Sequence, residues 1–490
     1  MKKLSDILYG TPLRDLIGNP NMAIEHLTLD SRTVRPFSLF FANPGLRTDG
    51  HKYIPEAIQR GASAIVCNRL PENPEPSVTW VVVDDTRRAM ADIALNFYDN
   101  PSASLHLVGV TGTNGKTTTT TLLYNLFSAL GYRCGLISTV RIVINGQSVP
   151  TTHTTPDILR TNELLARMVS EECKYAFMEV SSIGVHQGRI DRLSFAGGIF
   201  TNITHDHLDY HGSFANYLQC KKQFLDMLPA QAFALANLDD PNGEIMLQNT
   251  KARCYGYSLH GKGQFTGRIK ELDLSGMLME INGTEVWLKL TGEFNAYNVL
   301  AVYGAACLLE QEPQRVLTVL SSLEPVEGRF NVVPGPLRTT AIIDYAHTPD
   351  ALKNIMEAVK HVMRGSGRLI VLVGCGGNRD KEKRPLMGKI AASGAHLCIF
   401  TSDNPRFEDP QAIIEDMKKG LSEEELARVY TLVDRREAIR LAAAMLQPGD
   451  VLLVAGKGHE DYQEVKGEKL PFNDKKEVAE ALRTKIINRN

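Results

Sequence analysis

Short apolar runs recur along the chain, each closed by a polar or glycine-rich turn, and amphipathic segments of helical spacing lie between them. Runs of this length read as buried strands, and their alternation with helices predicts an α/β protein with largely parallel sheets. Near the N-terminus, strand patterns fall at 26–32, 38–45, 64–69 and 80–85, with a helix at 54–61. In the middle, Leu105, Leu107, Val108 and Val110 end a strand, and Gly112 and Gly115 turn the chain. Lys116-Thr117 then open a helix with Leu122, Leu123, Leu126, Phe127 and Leu130 on one face, stopping at Gly131. Asn145-Gly146 and Asn282-Gly283 predict hairpin turns, the second inside an alternating stretch at 264–292. Four further strands are expected at 341–347, 368–377, 396–406 and 450–460, each spilling into a polar loop, as in a doubly wound sheet.

Turn-forming residues at 98–105 and a Pro/Gly stretch at 331–338 read as linkers. The expected architecture is therefore α/β in three domains. These are a small N-terminal α/β unit (1–101), a central P-loop mononucleotide-binding unit on a parallel sheet (102–332) and a C-terminal Rossmann-like unit (333–490). A length of 490 residues agrees with about three domains of ~150 residues each. Composition adds exclusions. A net charge of −2 offers no global attraction to nucleic acid or anionic membrane, so neither is expected as a partner. Eight scattered cysteines without C-x-x-C spacing suit a reducing compartment. The basic MKKLSDILYG start is not followed by an apolar run, and no stretch is long enough to span a bilayer, which points to a cytoplasmic location. The chain is expected to act as a monomer.

The chemistry begins at TGTNGKT, 111–117. Strand, glycine turn, Lys-Thr and helix make a triphosphate cradle. Backbone N–H groups and the helix N-terminus surround the anion, Lys116 reaches the outer phosphates, and Thr117 Oγ holds Mg²⁺. The loop is a variant, because the generic pattern places its first glycine where this chain has Val110. Glu179 ends an apolar strand and suits a second Mg²⁺ ligand, or equally a helix cap. His205, Asp206, His207, Asp209 and His211 crowd seven positions; a zinc site lacks its cysteines, and a polar loop orienting metal or phosphate fits better. In the next helix Lys221 falls in register with Phe214, Tyr217, Leu218, Phe224, Leu225 and Leu228, while Lys222 points away. A lysine buried there would lose its proton and could take up CO₂ as a carbamate; alternatively it snorkels along the stripe to solvent. Asp30-Ser31-Arg32 either binds a ligand or closes a turn. Further polar clusters fall at Asn295 and Asn298, Arg329, Asp344 and His347, Asp403 and Arg406, and Lys457, His459 and Glu460.

Taken together, TGTNGKT, EVSS with Q-x-R, HDHLDYHG with its downstream lysine, GEFNAYN, EGR, DYAHTP, DNPR and GKGHE resemble the Mur ligases over all three expected domains. The missing first glycine is itself the family's form. The resemblance implies that Gly112, Thr113, Asn114, Gly115, Lys116, Thr117 and Thr118 bind ATP, with Asn295, Arg329 and Asp344 also on the nucleotide. It implies metal-site roles for Thr117, Glu179, His207 and a carbamylated Lys221. It implies contacts from Ser31, Thr154, Thr155, Ser181, Gln187 and Arg189 to UDP-N-acetylmuramoyl-L-alanyl-D-glutamate, with the N-terminal unit binding the UDP-sugar. The C-terminal unit would take meso-diaminopimelate through Arg379, Asp403, Asn404, Pro405, Arg406, Gly456 and Glu460. Lys116, Lys221 and His207 would be catalytic. The implied reaction is ATP-dependent amide formation through an acyl phosphate, in peptidoglycan precursor synthesis. Lysine-adding relatives differ at DNPR, and Arg406 would be left unpaired with lysine bound, a strong form of discrimination. The rivals are a lysine-adding ligase, a folylpolyglutamate synthetase and a P-loop switch or motor; the base-reading N-K-x-D and helicase motifs of the last are absent.

Overall fold

The computed structural model describes residues 1–45, 48–150, 154–363, 365 and 367–487. Three sheets organise it, in an α/β arrangement. The N-terminal sheet orders its strands Asp15–Ile17, Thr79–Val82, Ala62–Cys67, Ser38–Phe41, His26–Thr28, antiparallel only at the first pair. The central sheet has eleven strands. Its parallel core runs Cys134–Ile137, Tyr175–Glu179, His106–Thr111, Gly197–Phe200, Phe233–Asn237, Arg253–Ser258. The Asn145-Gly146 hairpin closes one edge, and an antiparallel meander through Asn282-Gly283 extends the other. At both turns Asn and Gly take positive φ, the conformation that two-residue hairpin loops require.

The third sheet runs Asn331–Pro334, Thr340–Asp344, Val451–Ala455, Leu369–Val373, Leu397–Thr401, Val429–Leu432, parallel except at its first pair. Its inner strands are buried on both faces, with apolar clusters above and below, which is why they read as continuous hydrophobic runs. The central sheet is likewise covered on both sides, and one of its clusters continues into the N-terminal unit through helix Thr86–Phe97 against helix Ile158–Ser170. An Asp92–Arg192 ion pair at 2.6 Å spans the same seam. Residues 151–153, which precede helix Ile158–Ser170, lie outside the described residues. No helix among the described residues is long and apolar enough to cross a membrane.

Candidate active site

The carboxyl ends of the central and third sheets face one cleft of about 2110 Å³. At its centre lies the turn after strand His106–Thr111. Gly112 has φ +149°, and a Cβ there would sit 1.9 Å from Thr201 Oγ1; Gly115, at φ +88°, caps helix Lys116–Ala129. Only glycine allows that conformation and that approach. The neighbouring strand end pins the loop: Thr113 N donates to Asn202 O (2.8 Å), Asn114 N to Asn202 Oδ1 (2.9 Å), and Thr201 Oγ1 to Asn114 O (2.6 Å). Lys116 Nζ curls back onto the carbonyls of Gly112 (2.9 Å) and Thr113 (2.8 Å). Burial pulls its ammonium below the usual lysine value, with Glu179 and Asp206 opposing. A cation held over an open nest of N–H groups is an anion receptor.

Lys221 is 1% exposed, its Nζ 2.5 Å from Gly112 O and 4.6 Å from the Tyr217 ring centroid. Snorkelling is thereby overturned. The apolar stripe packs against the sheet, so the stem has no path to water, and burial followed by repulsion from Lys116 depresses its pKa strongly. Lys222 does leave that face, yet it is buried too, bonding Asp226 and Gln248 O. Glu179 is no helix cap: at its strand end it accepts from Thr139 N (2.8 Å) and Thr139 Oγ1 (3.1 Å). His207, at φ +53°, lies 3.5 Å from Asp206 with its side chain about half exposed, and desolvation within the cleft pulls its pKa below the usual value. Among the described residues no three His, Cys, Asp or Glu side chains converge as a metal cage, so a zinc site finds no support. Thr117, Glu179 and His207 line the same cleft, and the hydroxyl and carboxylate among them are oxygen donors of the kind Mg²⁺ takes, with water and phosphate completing its shell.

The far wall comes from the third sheet. Arg329 Nη2 donates to Thr117 Oγ1 (3.2 Å), and its guanidinium covers the Tyr345 ring at 4.6 Å. Asp344 accepts from Phe330 N and Ala346 N, and burial raises its pKa against the pull of Arg329. Asp350, which sequence reasoning did not single out, accepts from Asn114 Nδ2 (3.0 Å) and Thr204 Oγ1 (3.1 Å), tying helix Pro349–Met363 to the Gly112–Gly115 turn. Deeper lies Lys457, fully buried, donating to Glu460 Oε2 (2.8 Å) and Asn404 Oδ1 (3.1 Å), with Asp403 Oδ1 at 3.6 Å. Among the described residues Asp403 Oδ1 has no hydrogen-bond partner, and burial followed by Asp403 raises the pKa of Glu460. Two carboxylates around one ammonium, beside Arg379 and Arg406, suit a zwitterionic ligand.

The cleft wall thus gathers Thr113 to Thr118, Glu179, His207, Arg329 and Asp344 on the side of the glycine loop. Thr154, Thr155, Ser181 and Arg189 line it around the Glu179 strand end, where Arg189 Nη1 donates to Thr155 O (2.6 Å). Arg379, Asp403, Asn404, Arg406, Gly456 and Glu460 line the third-sheet side. Six expected residues are not on the wall. Gly112 and Lys221 sit just behind the loop, and Pro405 O accepts from Glu408 N (3.0 Å) in its own turn. Gln187 braces Arg189 and Tyr210. Asn295 is buried beside Asn298, whose Oδ1 accepts from Thr119 Oγ1 (3.3 Å). Ser31 lies in the N-terminal unit, donating to Glu56 Oε2 (2.7 Å), while Asp30 closes the turn through Arg32.

Two sheets meeting at a glycine-loop cleft, with a cationic and acidic receptor opposite, define a nucleotide-using ligase architecture. Family models agree along the chain: the Mur ligase family catalytic domain matches residues 23–98, the Mur ligase middle domain 110–306 and the Mur ligase glutamate ligase domain 328–458. The chain belongs to the Mur ligase family, whose members use ATP. It is 53% identical over 473 residues to the UDP-N-acetylmuramoyl-L-alanyl-D-glutamate--2,6-diaminopimelate ligase of Phocaeicola vulgatus, covering 96% of this chain and 98% of the relative. A solved structure of a UDP-N-acetylmuramoyl-L-alanyl-D-glutamate--2,6-diaminopimelate ligase superposes with a TM-score of 0.69 at 31% identity, over 99% of this chain and 100% of that one. A MurF ligase from Thermotoga maritima in complex with ADP shares the fold, with a TM-score of 0.62 at 20% identity, covering 95% of this chain and 99% of that one.

Proposed function

We propose that this chain joins meso-diaminopimelate to the D-Glu side-chain carboxylate of UDP-N-acetylmuramoyl-L-alanyl-D-glutamate, with ATP converted to ADP and phosphate, in peptidoglycan precursor synthesis. The observation that carries the reading is the single cleft that faces Lys116 and its loop toward Arg379, Asp403, Arg406 and Glu460. In this reading the Gly112–Thr118 loop and Lys116 hold the triphosphate, with Asn295, Arg329 and Asp344 serving the nucleotide from the flanking elements. The D-Glu carboxylate attacks the γ-phosphorus, the P–O bond to ADP breaks, and an acyl phosphate results. The diaminopimelate amine then adds to the acyl carbon, a proton leaves the nitrogen, and phosphate departs to leave an amide. Lys116 offsets the charge spread over the transferring phosphoryl oxygens, and most of the remaining catalysis is positioning.

Thr154, Thr155, Ser181, Gln187 and Arg189 would present the dipeptide carboxylate, with Ser31 and the N-terminal unit on the UDP end. Thr117, Glu179 and His207 are the donors that fit Mg²⁺, which when bound would neutralise phosphate charge. Lys221, whose burial disfavours the charged ammonium, can add its amine to CO₂ and release a proton, giving a carbamate oxygen for the same site. Nucleotide and amino-acid groups come from different sheets, so movement of the third domain belongs to the cycle. A cytoplasmic setting is consistent with eight unpaired cysteines. The test is an amino-acid panel supplied with ATP, Mg²⁺ and the UDP-muramoyl dipeptide, with products weighed by mass spectrometry. A diaminopimelate adduct is expected; ATP turnover without any amino-acid adduct would refute the reading.

A further inference from the structure

Arg406 was expected to be left unpaired with lysine bound, but here Glu464 already lies against it. It sits at φ +53° on the loop after strand Leu397–Thr401. Its Nε lies 3.1 Å from Glu464 Oε2, and its Nη1 donates to Gly377 O at 2.9 Å. Among the described residues, none accepts a bond from Nη2. Glu464 belongs to the hairpin of Tyr462–Val465 and Glu468–Pro471, which runs alongside the Asp403–Arg406 loop. Main-chain and amide contacts hold that alignment. Arg406 N donates to Glu464 O (3.0 Å), Lys466 N to Arg406 O (2.6 Å), Glu464 N to Asn404 Oδ1 (2.9 Å) and Gln463 Nε2 to Asp403 O (2.6 Å). The carboxylate of Glu464 is therefore delivered to Arg406 by the backbone, and losing its charge leaves those four bonds in place.

Two consequences follow for a subsite that reads a distal carboxylate. A site rejects a ligand lacking the matching group mainly because its own polar group is then left unpaired. Here Glu464 already answers the arginine, so that penalty is reduced. A ligand carboxylate arriving at the same guanidinium also meets a like charge beside the fork, which costs it affinity. Both effects narrow the gap between a diamino acid with a distal carboxylate and one without.

We propose that Glu464 is a resident competitor for Arg406 that limits selectivity for the distal carboxylate of the incoming diamino acid. The inference rests on the amino-acid site proposed above. The side chains of Arg406 and Glu464 are 20% and 23% exposed, so the pair lies between buried and surface limits. Removing the charge should change the diaminopimelate KM by about fivefold, equivalent to about 1 kcal/mol at 1.4 kcal/mol per tenfold.

The experiment measures KM and kcat for meso-diaminopimelate and for L-lysine in the full-length wild type, Glu464→Gln and Glu464→Ala. The same Glu464 changes are repeated in an Arg406→Ala background. The expected result is a lower diaminopimelate KM in both Glu464 variants, a change in KM rather than kcat, and a diaminopimelate-to-lysine ratio about fivefold higher. In the Arg406→Ala background the Glu464 change should have no effect on the ratio. A diaminopimelate KM that rises in both variants would overturn the proposal, because Glu464 would then be orienting Arg406. An unchanged ratio would also overturn it, leaving Glu464 a bystander. A wild type that forms no product with either diamino acid defeats the functional reading itself, and this inference with it. Wild-type diaminopimelate product with an unmoved ratio defeats this inference alone.

Discussion

Replacing Arg435 with Met should uncouple the floor of the proposed amino-acid site. Arg435 and Asp474 are both fully buried and joined by two bonds, Nε to Oδ1 at 2.8 Å and Nη2 to Oδ2 at 2.7 Å. The same guanidinium donates to Ser402 O (3.4 Å) and Ala455 O (3.1 Å), the carbonyls immediately before Asp403 and Gly456. One side chain thus ties two strand ends of the third sheet to helix Asp474–Ile487. Met fills much of the volume but leaves the Asp474 carboxylate without a counter-charge, and breaking such a pair costs about 3–5 kcal/mol. For a domain of this size that is roughly a 6–20 °C fall in the transition of the C-terminal unit. The assay is calorimetry on the full chain, with the transitions separated because three domains need not unfold together. The double variant Arg435→Met/Asp474→Leu should recover most of the loss, since an apolar pair of similar volume is often as stable as the ion pair. A single variant within about 1 kcal/mol of wild type, or a double variant no better than the single, would refute the reasoning.

Three further outcomes are expected. Gly112→Ala puts a methyl 1.9 Å from Thr201 Oγ1 at a backbone angle alanine avoids; the strain of about 1–3 kcal/mol should weaken nucleotide binding roughly 5- to 150-fold by calorimetric titration, and unchanged affinity would count against the loop's role. Lys221→Ala should lower kcat about 10- to 100-fold. It should also abolish any response to added bicarbonate, and a bicarbonate response that persists in the variant would remove the carbamate. His347 and His459 are each held down to about 3, chiefly by burial and then by Lys383 and Arg329 respectively. Folding keeps them neutral where the unfolded chain protonates near 6.5, so their contribution is complete above that value and is lost as pH falls through the window toward 3. Urea denaturation at successively lower pH should show that decline, and His347→Gln should flatten it.

Much of the architecture was legible because period and punctuation are local properties. The tight turn and the helix it opens could be read from Gly112, Gly115 and Lys116-Thr117, since turn geometry and helix start are set by neighbours in sequence. The two Asn-Gly hairpins and the doubly buried strands of the third sheet were visible for the same reason. Lys221 shows where locality ends. Its register with an apolar stripe was apparent, but whether the amine reaches water depends on Gly112 O and Tyr217, supplied by other segments. Lys222, out of register, was nonetheless buried by the chain around Gln248.

What the sequence determined alone was the inventory: a P-loop strand and helix, alternating layers, and motifs whose order marks the family. What only tertiary structure decided was partnership. Asp350 meets Asn114 across 236 positions, Arg435 meets Asp474 across 39, and Arg406 finds Glu464 waiting on a neighbouring hairpin. Charges are answered by whatever lies within a few ångströms in space, and spacing along the chain does not encode that distance once strands from distant segments are brought to one edge.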